Sequence, residues 1–283
     1  MPVNMAFRGH RICVLLGLAC AVVAWGLTLT PGFKNVEGTF DSLLPTTVWG
    51  LSLLSVLLFF GSQRGLWRSP ALINALLAAV VDIVGSTLFF ELSIPLYMDT
   101  AGIVFVAMIY GPVLGMGTAV LSLTLRTVVS PWELAYLPNV LILAIMVGWL
   151  ARRGAFKRMI STLFTGYGIG IVAALVSLAS TLFALEQNLP RGARELANFF
   201  QLVTHDETTA TLLQVLTSDP LDKAFTVVLV CVFIRFVPKP VRNSFDRPET
   251  QSAVARVLTE DRFSLSLDED PPRNFVGRLQ RYL

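Results

Sequence analysis

Apolar positions in this chain come in long blocks instead of alternating with polar ones. Blocks at 12–29, 46–61, 71–90, 136–150, 159–186 and 221–237 are long enough, or nearly so, to cross a hydrocarbon core about 30 Å thick as helices. A further block, 101–129, is too long for one ordinary span and is interrupted near its centre by Gly111-Pro112. Proline lacks an N–H and clashes inside a helix, and glycine tolerates the turn, so the pattern predicts two short helices hinged there. Short helices at membrane depth need their ends buried in protein or wetted.

Charge placement fixes the expected topology. Arg8 and Arg11 put the N-terminus in the cytoplasm, Arg64 and Arg68 follow the second helix back to that side, and the third helix exits near Glu91. With 101–129 as one span, Arg152, Arg153, Lys157 and Arg158 would lie outside, against the positive-inside rule; two short helices return them to the cytoplasm. Lys239, Arg242 and Arg247 then follow the last helix on the inside. The expected fold class is an all-α polytopic membrane protein of about eight transmembrane helices with both termini cytoplasmic. It divides into a two-helix N-terminal membrane extension (1–69), a six-helix membrane domain (70–238) and a charged cytoplasmic tail (239–283). The opening "MAFRGHRICVLLGLACAVVAWGL" has the basic start of a secretory signal, yet its apolar run continues to Leu29 without a convincing A-x-A-like site. An uncleaved first helix is expected.

Composition agrees and narrows the function classes. The 283 residues are 54% hydrophobic and 14% charged, with a mean hydropathy of +0.67, outside the range of soluble domains. Residues 239–283 hold eight Lys/Arg and seven Asp/Glu, so the tail reads as soluble. A net charge of +3 is too small to argue for nucleic acid. Cys13, Cys20 and Cys231 lie in apolar stretches with no CxxC and no nearby His, which reads as packing, with no metal site. The two histidines, His10 and His205, fall in no HExxH, and neither a Gly-x-Ser-x-Gly nor a Gly-x-x-x-x-Gly-Lys-Ser/Thr motif occurs. No enzyme activity, no cofactor and no ATP hydrolysis by this chain are expected.

The candidate chemistry is a set of polar residues at one depth. Asp99, Thr100, Arg126, Glu133, Tyr136, Asn139, Asp222 and Lys223 come from four segments and all fall near the outer ends of their helices. Donors and acceptors converging within an apolar wall are the signature of a small-molecule site. The competing account places Arg126, Trp132 and Glu133 at the membrane interface for its own sake. Ser218-Asp219-Pro220 reads as a helix start, with Asp219 as N-cap. Asp222 and Lys223 then project about 100° apart, so they are not expected to pair with each other. In the long outer segment, "RGARELANFFQLVTHDETTATLLQVL" has the periodicity of a surface helix or lid. Ala71, Ala75 and Ala79 recur every four residues as a flat stripe that another helix can approach closely, from this chain or another. Asp82, just beyond, needs a partner or a cavity, and the sequence does not name one.

In order and spacing, "IPLYMDTAG", "YGPVLGMGTAVL", "SPWELAYLPNVLILAIMVGWLARRG" and "DPLDKAFTVVLVCVFIRFVP" resemble the substrate-binding S component of energy-coupling factor transporters of bacteria and archaea. The resemblance covers roughly 70–238. It implies a prokaryotic plasma-membrane bundle that captures a small vitamin-like micronutrient on its outer side, in a pocket drawing on Asp99, Thr100, Tyr136, Asn139, Asp222 and Lys223. It further implies that Ala71, Ala75 and Ala79 meet a membrane-embedded coupling subunit, with two ATPase subunits completing the importer. The two N-terminal helices and the tail depart from the family's minimal six-helix pattern. An alternative reading is a membrane sensor or anchoring protein whose tail meets a cytosolic partner.

Overall fold

The computed structural model describes residues 3–34, 42–63, 70–90, 92–128, 130–183 and 189–237. The apolar blocks fold into α1 (Val3–Thr28), α3 (Leu43–Ser62), α4 (Ala71–Phe90), α5 (Ala101–Tyr110), α6 (Pro112–Arg126), α7 (Leu137–Arg152), α8 (Met159–Phe183) and α10 (Glu207–Phe236). A one-turn α2 (Pro31–Lys34) links α1 to α3, a 3₁₀ turn (Pro131–Tyr136) leads into α7, and α9 (Arg191–Thr204) precedes α10. Among the described residues five segments are long and apolar enough to cross a membrane: those of α1, α3, α4, α8 and the 3₁₀ turn with α7. Large apolar side chains such as Leu57, Ile73, Leu88 and Phe164 face outward, as they do where the surrounding solvent is lipid. The architecture is that of an all-helical, polytopic membrane protein. The topogenic residues Arg64, Arg68, Glu91, Lys239, Arg242 and Arg247, and the tail 239–283, lie outside the described residues.

The break inside 101–129 falls where the dipeptide predicts. Gly111 ends α5 with φ of 95°, a left-handed conformation open to glycine, and Pro112 occupies the first turn of α6. The two helices fold back on each other, so closely that a Cβ on Gly115 would stand 2.6 Å from the Ala107 Cβ. α4 packs against this hairpin through Ala71, Ala75 and Ala79, each wholly buried, with Ala71, Ala75 and Ala78 clustered against Val106 and Leu114. At Gly102 a Cβ would lie 2.0 Å from the Ala78 carbonyl oxygen, so only glycine permits this approach of α4 and α5. The alanine stripe expected to receive a coupling subunit is therefore filled from within the chain. The small residues do permit close approach, but what approaches is the chain's own α5–α6 hairpin.

Asp82 finds its partner at the same seam. Its carboxylate, fully buried, accepts from the N–H groups of Gly102 (2.6 Å) and Ile103 (3.2 Å). Thr100 occupies the N-cap position of α5 without a side-chain capping bond, so the first turn is capped across space by a carboxylate from α4.

The first two long helices share the bundle's core. Trp25 donates its indole N–H to the Ala135 carbonyl (3.0 Å), Trp49 donates to the Thr127 hydroxyl (3.0 Å), and Ala21, Val48 and Phe59 belong to one apolar cluster with residues of α5 to α8 and α10. Described residues on both sides of the 69/70 division thus share one apolar cluster. α10 corrects the expected helix start at Asp219. Asp206 is the N-cap, accepting from the Thr209 N–H (2.7 Å), and Pro220 lies inside a 30-residue helix. Of the predicted surface helix, 191–204 forms α9, while the remainder of the quoted stretch from Glu207 onward belongs to α10.

Candidate functional site

Charged side chains placed by four segments form one chain of ion pairs at the end of the bundle where α4 leaves and α5 begins. Arg126, at the C-terminus of α6, bonds the Glu133 carboxylate from the 3₁₀ turn at 2.9 Å and Asp99 Oδ2 at 3.1 Å. Lys223 Nζ, from α10, reaches Asp99 Oδ1 at 3.2 Å and Asp222 Oδ2 at 2.7 Å. Lys223 is 3% exposed and Asp222 fully buried, against 20% for Asp99, so these charges stand largely out of water, where pairing is obligatory. Asp99 belongs to the loop between α4 and α5. Burial works to raise its pKa, but Lys223 and then Arg126 outweigh it and hold the carboxyl well below the usual range. Its partners are therefore protein cations on both oxygens, a positioning arrangement.

Asp222 and Lys223 do pair, contrary to the expectation from helix geometry. The 100° between their Cβ directions is real, but the four-carbon lysine stem curls back to bring Nζ to its neighbour's carboxylate. The other Asp222 oxygen accepts from the N–H groups of Tyr97 and Met98, both at 2.9 Å. Met98 has φ of 50°, uncommon for a residue with a side chain. Asp222 and the Thr226 hydroxyl, 3.5 Å from its sulfur, hold this strained turn against α10.

Beside the network is a cavity of about 640 Å³, within the range of small-molecule sites. Of the eight residues expected to converge, Asp99, Thr100, Arg126, Glu133, Tyr136, Asn139 and Lys223 line it; Asp222 does not and acts from behind Lys223. Apolar wall comes from Ile83, Phe89, Phe90 and Val140, and Leu96, Tyr97, Leu189 and Pro190 bring the α4–α5 loop and the approach to α9 to its rim. Among the described residues, three of the lining polar atoms, Thr100 Oγ1, Asn139 Oδ1 and Thr181 Oγ1, are buried without a hydrogen-bond partner.

Sequence reasoning missed Tyr97, Ser177, Thr181 and, as a wall residue, Asp219. The local sequence reads Asp219 as a helix cap, whereas it is 5% exposed in mid-helix, its carboxylate 3.5 Å from the Ser177 hydroxyl. The signal for α8 was present as Ser177 and Thr181, four apart and thus on one face of "AALVSLASTLF". The Trp132 side chain lies outside the described residues. Fold and site together define a helical membrane protein with a buried, ion-lined pocket at one end of the bundle. No protein-family model matches the chain, and neither a curated protein nor a solved structure matches it.

Proposed function

We propose that this pocket captures a small organic molecule from the outer side of a prokaryotic plasma membrane, the chain serving as the substrate-binding subunit of an ATP-driven energy-coupling factor importer of vitamin-like micronutrients. The observation that carries capture is the set of polar atoms on the cavity wall left without a partner among the described residues, Thr100 Oγ1 and Asn139 Oδ1 together with Thr181 Oγ1. A buried acceptor or hydroxyl left unbonded costs about 1–3 kcal/mol, and a ligand that bonds Thr100 and Asn139 removes that cost. The importer assignment rests on the motif order shared with S components. The chain has no phosphate-binding loop of its own, so energy would come from two ATPase subunits through a membrane-embedded coupling subunit. That subunit would dock elsewhere than on Ala71, Ala75 and Ala79, which are buried.

Mass spectrometry of small molecules released from the purified full chain tests capture. One organic species is expected at near-stoichiometric amount from wild type and depleted in Thr100→Val/Asn139→Leu, whose apolar side chains remove the two polar contacts. Uptake of that species by cells, abolished when ATP is depleted, tests the importer assignment. Equal release from wild type and the double variant would refute the site.

A further inference from the structure

We infer that the molecule held in this cavity is a small organic cation, an amine or protonated nitrogen heterocycle on a flat apolar body, whose N–H groups face Asp219. The inference rests on the capture reading above and comes from matching each charge to its partner. Asp99 is met by Lys223 and Arg126, Glu133 by Arg126, and Asp222 by Lys223 and two backbone N–H groups. Asp82, behind Thr100, is met by the N–H groups of Gly102 and Ile103. Asp219 is different. It lines the cavity and is 5% exposed, and among the described residues its only hydrogen-bonding contact is the Ser177 hydroxyl at 3.5 Å.

Both cations are therefore already engaged. Among the described residues one wall carboxylate, Asp219, has no cation within ion-pair distance; Lys223, one turn along α10, acts on it only from farther off while bonded to Asp99 and Asp222. An anionic ligand would have to take Lys223 or Arg126 away from buried carboxylates that depend on them, leaving those charges unpaired. A cationic ligand disturbs no existing pair and supplies the charge Asp219 lacks. The orphaned atoms ask for the same chemistry, because the amide oxygen of Asn139 can only accept and the Thr100 hydroxyl can accept as well as donate. Phe89, Phe90, Tyr97 and Tyr136 on the wall provide flat apolar surface that also favours a cation over an anion.

The test uses matched probes of one shape and different charge on the full chain in detergent. Benzylamine, tryptamine and 4-aminopyridine are set against benzoate, indole-3-acetate and benzyl alcohol, with thermal stabilisation as the readout, since a ligand that binds only the folded state raises Tm. The amines are expected to stabilise wild type and the acids are not. Asp219→Asn, which keeps the side-chain shape, should weaken the amines at least about tenfold, as loss of a charge-assisted bond requires. Stabilisation by the acids or the alcohol in preference to the amines leaves a capture site and overturns the cation class. Amine binding unchanged in Asp219→Asn overturns the seat. Stabilisation by no probe overturns the inference and counts against capture as well. The wild-type ranking of amines against acids decides the class even if Asp219→Asn does not fold.

Discussion

Removing Asp82 is the most direct test of how the cavity's floor is built. Its carboxylate accepts from two N–H groups in the first turn of α5, at 2.6 and 3.2 Å, with no access to water. In Asp82→Ala both N–H groups become buried orphans, each costing about 1–3 kcal/mol, so the loss is about 2–6 kcal/mol. Asp82→Asn keeps one acceptor oxygen and presents an NH₂ to the second N–H, so roughly half of that loss is expected. At about 2–4 °C per kcal/mol for a chain of this size, Asp82→Ala should unfold about 4–24 °C below wild type. Cys231 is a built-in reporter: its thiol is fully buried, whereas Cys13 and Cys20 are partly exposed. In a Cys13→Ala/Cys20→Ala background, a thiol-reactive dye reads unfolding through Cys231 alone. Tm values for both variants within about 2 °C of wild type would refute capping of α5 by Asp82.

Two further substitutions test the packing around the site. Ala75→Leu inserts bulk at a wholly buried contact and should destabilise the isolated chain by about 1–3 kcal/mol; an unchanged Tm would mean that the stripe faces outward after all. A Cβ at Gly192 would lie 2.3 Å from the backbone of Ile94, where Gly192 also donates its N–H to the Leu92 carbonyl at 3.0 Å. Gly192→Ala should therefore detach α9 from the α4–α5 loop and speed amide hydrogen exchange over residues 92–98 roughly five- to tenfold, with unchanged exchange as the refuting result.

What was legible in the sequence follows from which interactions are local. The hinge at Gly111-Pro112 was readable because backbone freedom and a missing N–H act on the residues themselves. Seven wall residues were readable because ionisable and amide side chains are rare inside apolar blocks and share a depth once the helices are placed. The partner of Asp82 was not readable, since backbone N–H groups carry no residue signature. Nor could spacing say whether α5 or another subunit would fill the alanine stripe. The start of α10 was misread because Ser-Asp-Pro favours a helix beginning locally, while burial of Ala210, Thr211, Gln214 and Val215 keeps the preceding turns helical and carries the helix through Pro220. Ser177 and Thr181 went unnoticed because hydroxyls in membrane helices commonly bond their own backbone, and nothing in the residue type says which ones turn toward a cavity.

The continuity of α10 has a mechanical consequence. Thirty residues at 1.5 Å each make a strut of roughly 45 Å, and Lys223 stands 13 residues above its last residue, Phe236. Asp222 rivets the strut to the backbone of Tyr97 and Met98, so the pocket's rim and the strut's lower end are parts of one linkage. No loop between Lys223 and Phe236 absorbs a displacement. A tilt imposed at the ion pairs would have no hinge to dissipate it before Val237, the residue that ends the helix.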